Sequence, residues 1–530
     1  MSESSTWLNG HGQQESVATL VDAGPAEQVK ESKAQLPPLS PSSPIVVEGD
    51  PSVIPPEHPF RTLVLWKVFD GTGDQFDGDN SNIVQLFTLL KKDDRDVQMV
   101  YYQAGIGTYT SPNIATPLMA KVSKTLDEMV AWNLGRHVMD GYEFLMQNYK
   151  AGDRICIFGF SRGAYTARAL AGMIHKVGLL PACNHQQVPF AYKMFKRADE
   201  TGWKQSNAFK KAFSVDVDIE FIGVWDTVSS VGLIPRKLPF TTSNTIVRTF
   251  RHAIALDEHR AKFKANHWNR PNTTEQTLSI SDHHRKAHKN HPRATNPRLK
   301  ALERKYTKDH SKQTDIEEVW FAGCHCDVGG GSVPNDTQHS LARIPLRWMI
   351  RECFKTNTGI MFDCEGLQAL GLDPGALYPE VLPRPPMATD FGTLRIQDIP
   401  KSSSGSPDDT QLPNFADAGD FSSALYKSEE DHDLLDLLSP VYDQLSLAPY
   451  WWVLELWPIK QRYQKSDNSW ASYLGFNMGA GRIVPKQKRG VKVHRSVKVR
   501  MEALHSNGTP YVPRASFEKA LADGKVEWVD

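Results

Sequence analysis

The run Ile155-Cys156-Ile157-Phe158-Gly159-Phe160-Ser161-Arg162-Gly163 leads directly into Ala164-Tyr165-Thr166-Ala167-Arg168-Ala169-Leu170. An apolar segment, a G-x-S-x-G turn and a helix-forming stretch therefore follow one another without a gap. In that order the motif predicts a nucleophile elbow, a serine held on a sharp strand-to-helix turn. The flanking glycines allow the turn and set no Cβ against the hydroxyl. The helix beyond directs its unpaired N–H groups and positive dipole end at the same point. The bare pattern is weak, since at ordinary Gly and Ser usage roughly one chain in six of this length holds it by chance. The strand before it and the helix after it supply the specificity. The bland alternative is a glycine-lined turn carrying a solvent-facing serine.

With 530 residues, 40% of them hydrophobic, the chain can build one large core or two modest ones. Lys+Arg and Asp+Glu balance at 61 each, which argues against a globally basic nucleic-acid binder. Six cysteines make no disulfide framework at this length and are expected to be reduced. The start Met1-Ser2-Glu3-Ser4-Ser5 has no signal-peptide character, and no run reaches the ~20 apolar residues of a membrane span. A cytoplasmic location is the expectation. The richest apolar run, Ala448 to Ile459 with Trp451, Trp452 and Trp457, is broken by Glu455 and Pro458. It reads first as a buried core element, and second as a peripheral membrane contact, because Trp favours lipid interfaces.

Residues 1–57, rich in Ser, Pro, Glu and Gln, predict a disordered tail. Residues 58–505 predict the catalytic domain and 506–530 a C-terminal segment. Strands are expected at Thr62–Phe69, Val97–Tyr102, Ile155–Phe158, Ile219–Trp225 and Val319–Gly323. Helices follow several of them, including two across 120–150 and one from about Leu341 to Phe354. Strands alternating with helices indicate an α/β fold, a mostly parallel sheet with helices on both faces. Polar insertions are expected at about 270–315 and 398–432, while 440–505 turns apolar and packs back on the core.

Each chemically suggestive residue follows the carboxyl end of a strand, where open α/β sheets place their sites. A serine hydroxyl is a poor nucleophile without a base in hydrogen-bond reach, and the base needs an acid to fix its tautomer. The strand-end candidates occur in the order Ser161, Asp226, His325, the chain order of α/β-hydrolases. Among the 18 histidines, His325 is the best candidate base because it ends an apolar strand and precedes a flexible turn, Asp327-Val328-Gly329-Gly330-Gly331. His252 and His259 read as helical. Cys324-His325-Cys326 invites a zinc reading, countered because alternate strand residues face opposite ways. Asp226 as a helix cap is its structural alternative. Asp327 and Asp257 are its rivals as the acid, the latter in a helix-like run, His252–Arg260. The backbone N–H of Arg162 supplies one oxyanion donor, and Gly71 or Thr72, in the glycine turn after the first strand, the second. Asp70 is a further nearby carboxylate.

Four blocks resemble one α/β-hydrolase family that includes the catalytic domains of bacterial type VI secretion phospholipase effectors and many fungal proteins. They are Phe69-Asp70-Gly71-Thr72-Gly73, Gly159–Ala164, Gly223-Val224-Trp225-Asp226-Thr227-Val228, and Trp320–Gly331. The tail-end blocks around Trp451-Trp452 with Glu455, and His494-Arg495-Ser496-Val497, also look like fungal members. The resemblance implies a lipase-like Ser-Asp-His site with Ser161, Asp226 and His325 at the matching positions. The expectation is a serine hydrolase cleaving a carboxylic ester, of a lipid in the first instance, with no cofactor or metal and no nucleic-acid partner. Thioesterase or peptidase activity, and a non-catalytic binding module on the same scaffold, are the alternatives.

Overall fold

The computed structural model describes residues 52–69, 78–103, 119–228, 238–269, 302–303, 313–386, 394–399, 428–464, 470–485, 490–516, 521 and 524–530. Asp70, Gly71 and Thr72 lie outside them, as do most of the two polar insertions. The strands are β1 (Thr62–Phe69), β2 (Gln98–Gln103), β3 (Arg154–Phe160), β4 (Ile219–Trp225), β5 (Val247–Ala255), β6 (Asp315–Phe321), β7 (Ile459–Gln464), β8 (Trp470–Gly475), β9 (Val491–His494) and β10 (Val526–Val529). The principal helices are α1 (Asn82–Thr88), α2 (Met119–Asn148), α3 (Ser161–Val177), α4 (Val188–Lys196), α5 (Glu200–Phe213), α6 (His325–Gly329), α7 (Arg343–Lys355), α8 (Glu429–Leu437) and α9 (Arg495–Glu502).

Eight strands form one sheet in the order β10-β9-β6-β5-β4-β3-β1-β2, and every pairing in it is parallel. A parallel sheet needs cover on both faces, and its strands read as apolar runs. Strand β3 shows the reason: Ile155 and Ile157 join the core under α2 to α5, while Cys156, Phe158 and Phe160 join the core under α1 and α7. The chain winds outward from β1 to β2, then returns to β3 on β1's other side. That reversal opens a crevice at the carboxyl ends of β1 and β3.

Register matters more than strand count. Phe160 at the end of β3 pairs with Trp225 at the end of β4, and Trp225 pairs with Ala253 of β5. Adjacent strands thus release Ser161 and Asp226 at one level of the sheet. Strand β6 runs further, with Phe321 paired to Ala255, so the chain that follows it can arch back over that rim.

Several expectations change. The 120–150 region is one helix, Met119–Asn148, not two. Its Gly135 lies against the Tyr192 ring, where a Cβ would approach to 3.0 Å, so α4 packs close against it. Residues 252–255 continue β5 and are not helical, because a strand buried on both faces hides the alternation that would distinguish it from a helix. Val53 and Ile54, expected in the tail, are buried and pair antiparallel with Phe362 and Asp363. The segment after 505 contributes the edge strand β10 and buries Tyr511 and Ala515 against the sheet. Residues 428–432, expected within a mobile loop, form the cap and first turn of α8. The Trp451–Trp457 run, expected to be buried core, stands largely exposed around one buried residue, Glu455. No helix among the described residues is long and apolar enough to cross a membrane.

Helix α8 is held to α7 by charge. Arg347 donates to Asp433 at 2.6 Å and Asp436 at 2.5 Å, all three fully buried, and Arg384 donates to Asp433 at 2.7 Å. Removing the cation leaves carboxylates stranded in a dry environment. Arg347→Ala is expected to lower stability by about 3–5 kcal/mol, read as a fall in the urea-unfolding midpoint.

Candidate active site

Ser161 is the first residue of α3 and directly follows β3. Its φ of 59° lies in the left-handed region, which costs a non-glycine residue about 1–3 kcal/mol. The turn tolerates no side chain at Gly159, where a Cβ would sit 2.7 Å from the Ala164 nitrogen and the Gly163 carbonyl. Both features belong to a turn wound tightly enough to lift a hydroxyl off the sheet.

His325 Nε2 lies 2.7 Å from Ser161 Oγ, and its Nδ1 lies 2.6 Å from Asp226 Oδ2. An ionised carboxylate only accepts, so Nδ1–H donates to Asp226 and Nε2 is left to accept from the serine hydroxyl. The three groups are buried, and the imidazole lies between the Phe160 ring at 4.6 Å and the edge-on Phe263 ring at 4.9 Å. Burial lowers the His325 pKa, against the pull of Asp226 in the other direction. For Asp226, burial alone would favour the neutral acid. The Arg482 guanidinium and the bond to His325 outweigh it and hold the carboxyl well below the usual carboxylate range.

Arg482 grips both oxygens of Asp226, Nη1 to Oδ1 at 2.5 Å and Nη2 to Oδ2 at 2.8 Å. It also donates to the carbonyls of Ala255 and Phe263. The Ala255 N–H adds a second bond to Asp226 Oδ1 at 3.0 Å. Asp226 itself has a φ of 37°. The next residue is pinned too, since Thr227 N donates to His252 Nε2 at 3.0 Å and His252 Nδ1 meets Glu318 at 3.0 Å. Asp226 is therefore fixed by an arginine fork, the Ala255 N–H and the imidazole.

The rival acids hold the chain around the histidine. Asp327 accepts from Cys324 N at 2.8 Å and Tyr442 N at 3.0 Å, and burial pushes its carboxyl up to about 7. Asp257 accepts from Gly323 N and the Tyr511 hydroxyl, each at 2.6 Å. Asp257 follows β5 in an irregular stretch, where a helix was expected. His325 opens the short helix α6, so the strand-alternation argument does not apply to Cys324-His325-Cys326. Neither cysteine is in a disulfide, and no group of three metal-ligating side chains occurs among the described residues. The glycines after Asp327, expected to be flexible, are close-packed: a Cβ on Gly329 would fall 1.9 Å from the Phe160 ring. Arg162 lies in the first turn of α3 beside Ser161.

Arg482, Phe263 and the buried ion pair Arg260–Glu258 at 2.7 Å had no precursor in the sequence reading. The one local trace of Arg482 is its glycine-rich surrounding, Gly479-Ala480-Gly481. Nothing there names a partner 256 positions away.

Comparison with known proteins places these blocks in context. The family model for the T6SS phospholipase effector Tle1-like catalytic domain matches residues 61–352. The chain is 28% identical to an uncharacterized protein of Saccharomyces cerevisiae, YEL023C, across 86% of this chain and 81% of that one. Among solved structures, an uncharacterized protein from Pseudomonas aeruginosa matches at 17% identity and a TM-score of 0.32, over 60% of this chain and 49% of that chain. The Tle1 effector bound to the VgrG spike of the type 6 secretion system matches at 17% identity and a TM-score of 0.25, over 52% of each chain. The chain thus spans about half the length of these two solved chains.

Removal of Arg482 would leave the Asp226 carboxylate buried without the guanidinium that balances its charge. Arg482→Met is expected to cost about 3–5 kcal/mol of stability at neutral pH. The gap to the parent should narrow as pH falls, because the variant's carboxyl takes up a proton while the parent's stays ionised. Urea unfolding of both proteins from neutral to mildly acid pH reads this directly.

Proposed function

This chain belongs to the family of Tle1-like type VI secretion phospholipase effector catalytic domains, and we propose that it is a serine hydrolase cleaving a carboxylic ester of a lipid. The observation that carries the proposal is the 2.7 Å contact between Ser161 Oγ and His325 Nε2. The phospholipase description of the family and the apolar walls Phe160 and Phe263 beside the imidazole support a lipid substrate. The catalytic unit in this proposal runs from Thr62 to Val529, since Arg482 and two sheet strands lie past the end of the matched range.

In the proposed reaction Ser161 Oγ attacks the ester carbonyl carbon while its proton passes to His325 Nε2. The imidazolium that forms is stabilised by Asp226, whose charge Arg482 and the Ala255 N–H keep in place. The oxyanion is held by the Arg162 N–H and by a donor from the Gly71–Thr72 turn. Collapse expels the alcohol, which takes the proton from His325 and leaves an acyl group on Ser161. Water repeats the sequence, giving its proton to His325 and releasing the fatty acid and the free serine. A ground state so close to the working geometry leaves little positioning to be done on binding.

Ser161→Ala is expected to lower ester turnover at least ~10⁴-fold with the fold retained, measured on short-chain esters beside the parent. A fluorophosphonate probe should label the parent at Ser161 and leave the variant unlabelled. Unlabelled parent protein would instead indicate a binding module on a hydrolase scaffold. Because a protonated imidazole cannot accept the serine proton, activity should be lost as pH falls through one ionisation below the ordinary histidine value of 6.5. It should be at its plateau by neutral pH, and a profile still rising well above 7 would contradict the burial-lowered histidine.

A further inference from the structure

Beside the site, the chain turns a set of large apolar side chains outward. Val453, Leu456 and Trp457 are 57% to 65% exposed, and Leu474, Phe476 and Met478 are 58% to 73% exposed. The first three sit on the turn before β7, and the others follow from the end of β8 in the antiparallel β7–β8 hairpin. Single exposed apolar residues are ordinary, whereas a group of this kind on one short stretch marks an interaction surface.

The two limbs are locked together. Glu455, the buried residue between them, accepts from Asn477 Nδ2 at 2.5 Å and Gly479 N at 3.0 Å. It also accepts from Ala261 N at 2.5 Å, which ties the patch to the loop that carries Phe263. From there the contact continues inward: Trp451 stands edge-on to Phe263 at 5.4 Å, and Phe263 edge-on to His325 at 4.9 Å. Two aromatic rings in series, Trp451 and Phe263, therefore link this segment to the imidazole.

Charge indicates what covers this face. From Trp457 to Gly490 the sequence carries seven Lys or Arg residues and a single carboxylate, Asp467. One of the seven, Arg482, is committed to Asp226. The chain as a whole is neutral, so this excess is local. Exposed Trp457 and Leu474, the latter paired in register with Lys460 on the hairpin, fit an anionic lipid surface, where indole rings settle at headgroup depth and each cation near the surface adds about 1 kcal/mol.

We infer that the outward face formed by Val453, Leu456, Trp457, Leu474, Phe476 and Met478 docks on an anionic lipid surface and so presents the Ser161 site to its substrate at the membrane. This builds on the proposed lipid-ester hydrolase reading and adds where the enzyme meets its substrate. Docking and chemistry are separable, because the exposed side chains lie outside the Ser161, His325 and Asp226 cluster.

The test is co-sedimentation with vesicles of phosphatidylcholine alone or with about a third phosphatidylserine, at low and at physiological salt. The full chain, Ser161→Ala and the double variant Trp457→Ser/Leu474→Ser are compared, with thermal unfolding to verify that each is folded. The full chain and Ser161→Ala should bind the anionic vesicles equally, and more weakly as salt rises. The double variant should bind at least ~10-fold more weakly while hydrolysing a short-chain soluble ester at the parental rate. Absence of vesicle binding by the full chain, or unchanged binding by the folded double variant, would overturn the inference. So would a concentration-dependent dimer that the double substitution abolishes without any vesicle binding, since a second copy would then be the occupant. Vesicle binding by a parent that cleaves no ester would leave the docking face standing and remove the hydrolase reading.

Discussion

The parallel register that brings β3 and β4 to an end side by side is the constraint on which the rest depends. Because Phe160 and Trp225 are paired, the residues that follow them leave the sheet together, and both adopt positive φ as they do so. Ser161 and Asp226 then flank a gap that one imidazole spans, with contacts of 2.7 and 2.6 Å. A slip of a single residue between these strands would send one of the two side chains to the opposite face. The apolar sequences of β3 and β4, with side chains buried in both cores, make such a slip costly.

Around that gap the chain solves an electrostatic problem. A carboxylate with no exposure to water is unfavourable unless charge and hydrogen bonds compensate it. Here the compensation is a guanidinium fork, a backbone N–H and an imidazole N–H, all converging on Asp226. The same economy operates at Asp257 and Asp327, which hold the Gly323 and Cys324 N–H groups immediately before His325. Three aspartates that look alike in sequence thus end in two kinds of work. One faces the imidazole, and the others hold the segment that carries it.

Much of the sheet was legible because its strands are apolar runs ending in glycine, serine or aspartate. Ser161 was legible for a local reason: the motif and its flanking elements are contiguous. Asp226 and His325 were nominated by chain order and strand ends, which register then brings level. The strand at Val247–Ala255 was misread because a run buried on both faces, FRHAIA, shows no alternation. Arg482 was invisible, since its partner is fixed by tertiary packing and no local pattern encodes it. The exposed tryptophan run was misjudged for a related reason: apolar composition alone does not report whether tertiary packing will cover it.

Arg482 also orders events in time. During synthesis the elbow, the acid and the histidine all leave the ribosome well before position 482, and at that stage Asp226 lacks the cation that keeps it charged out of water. A nascent chain stalled at that point holds every reacting group and no settled acid. Settling of the Asp226–His325 pair therefore waits for the segment around Arg482, so the acid is fixed only after most of the sheet that carries it has been made.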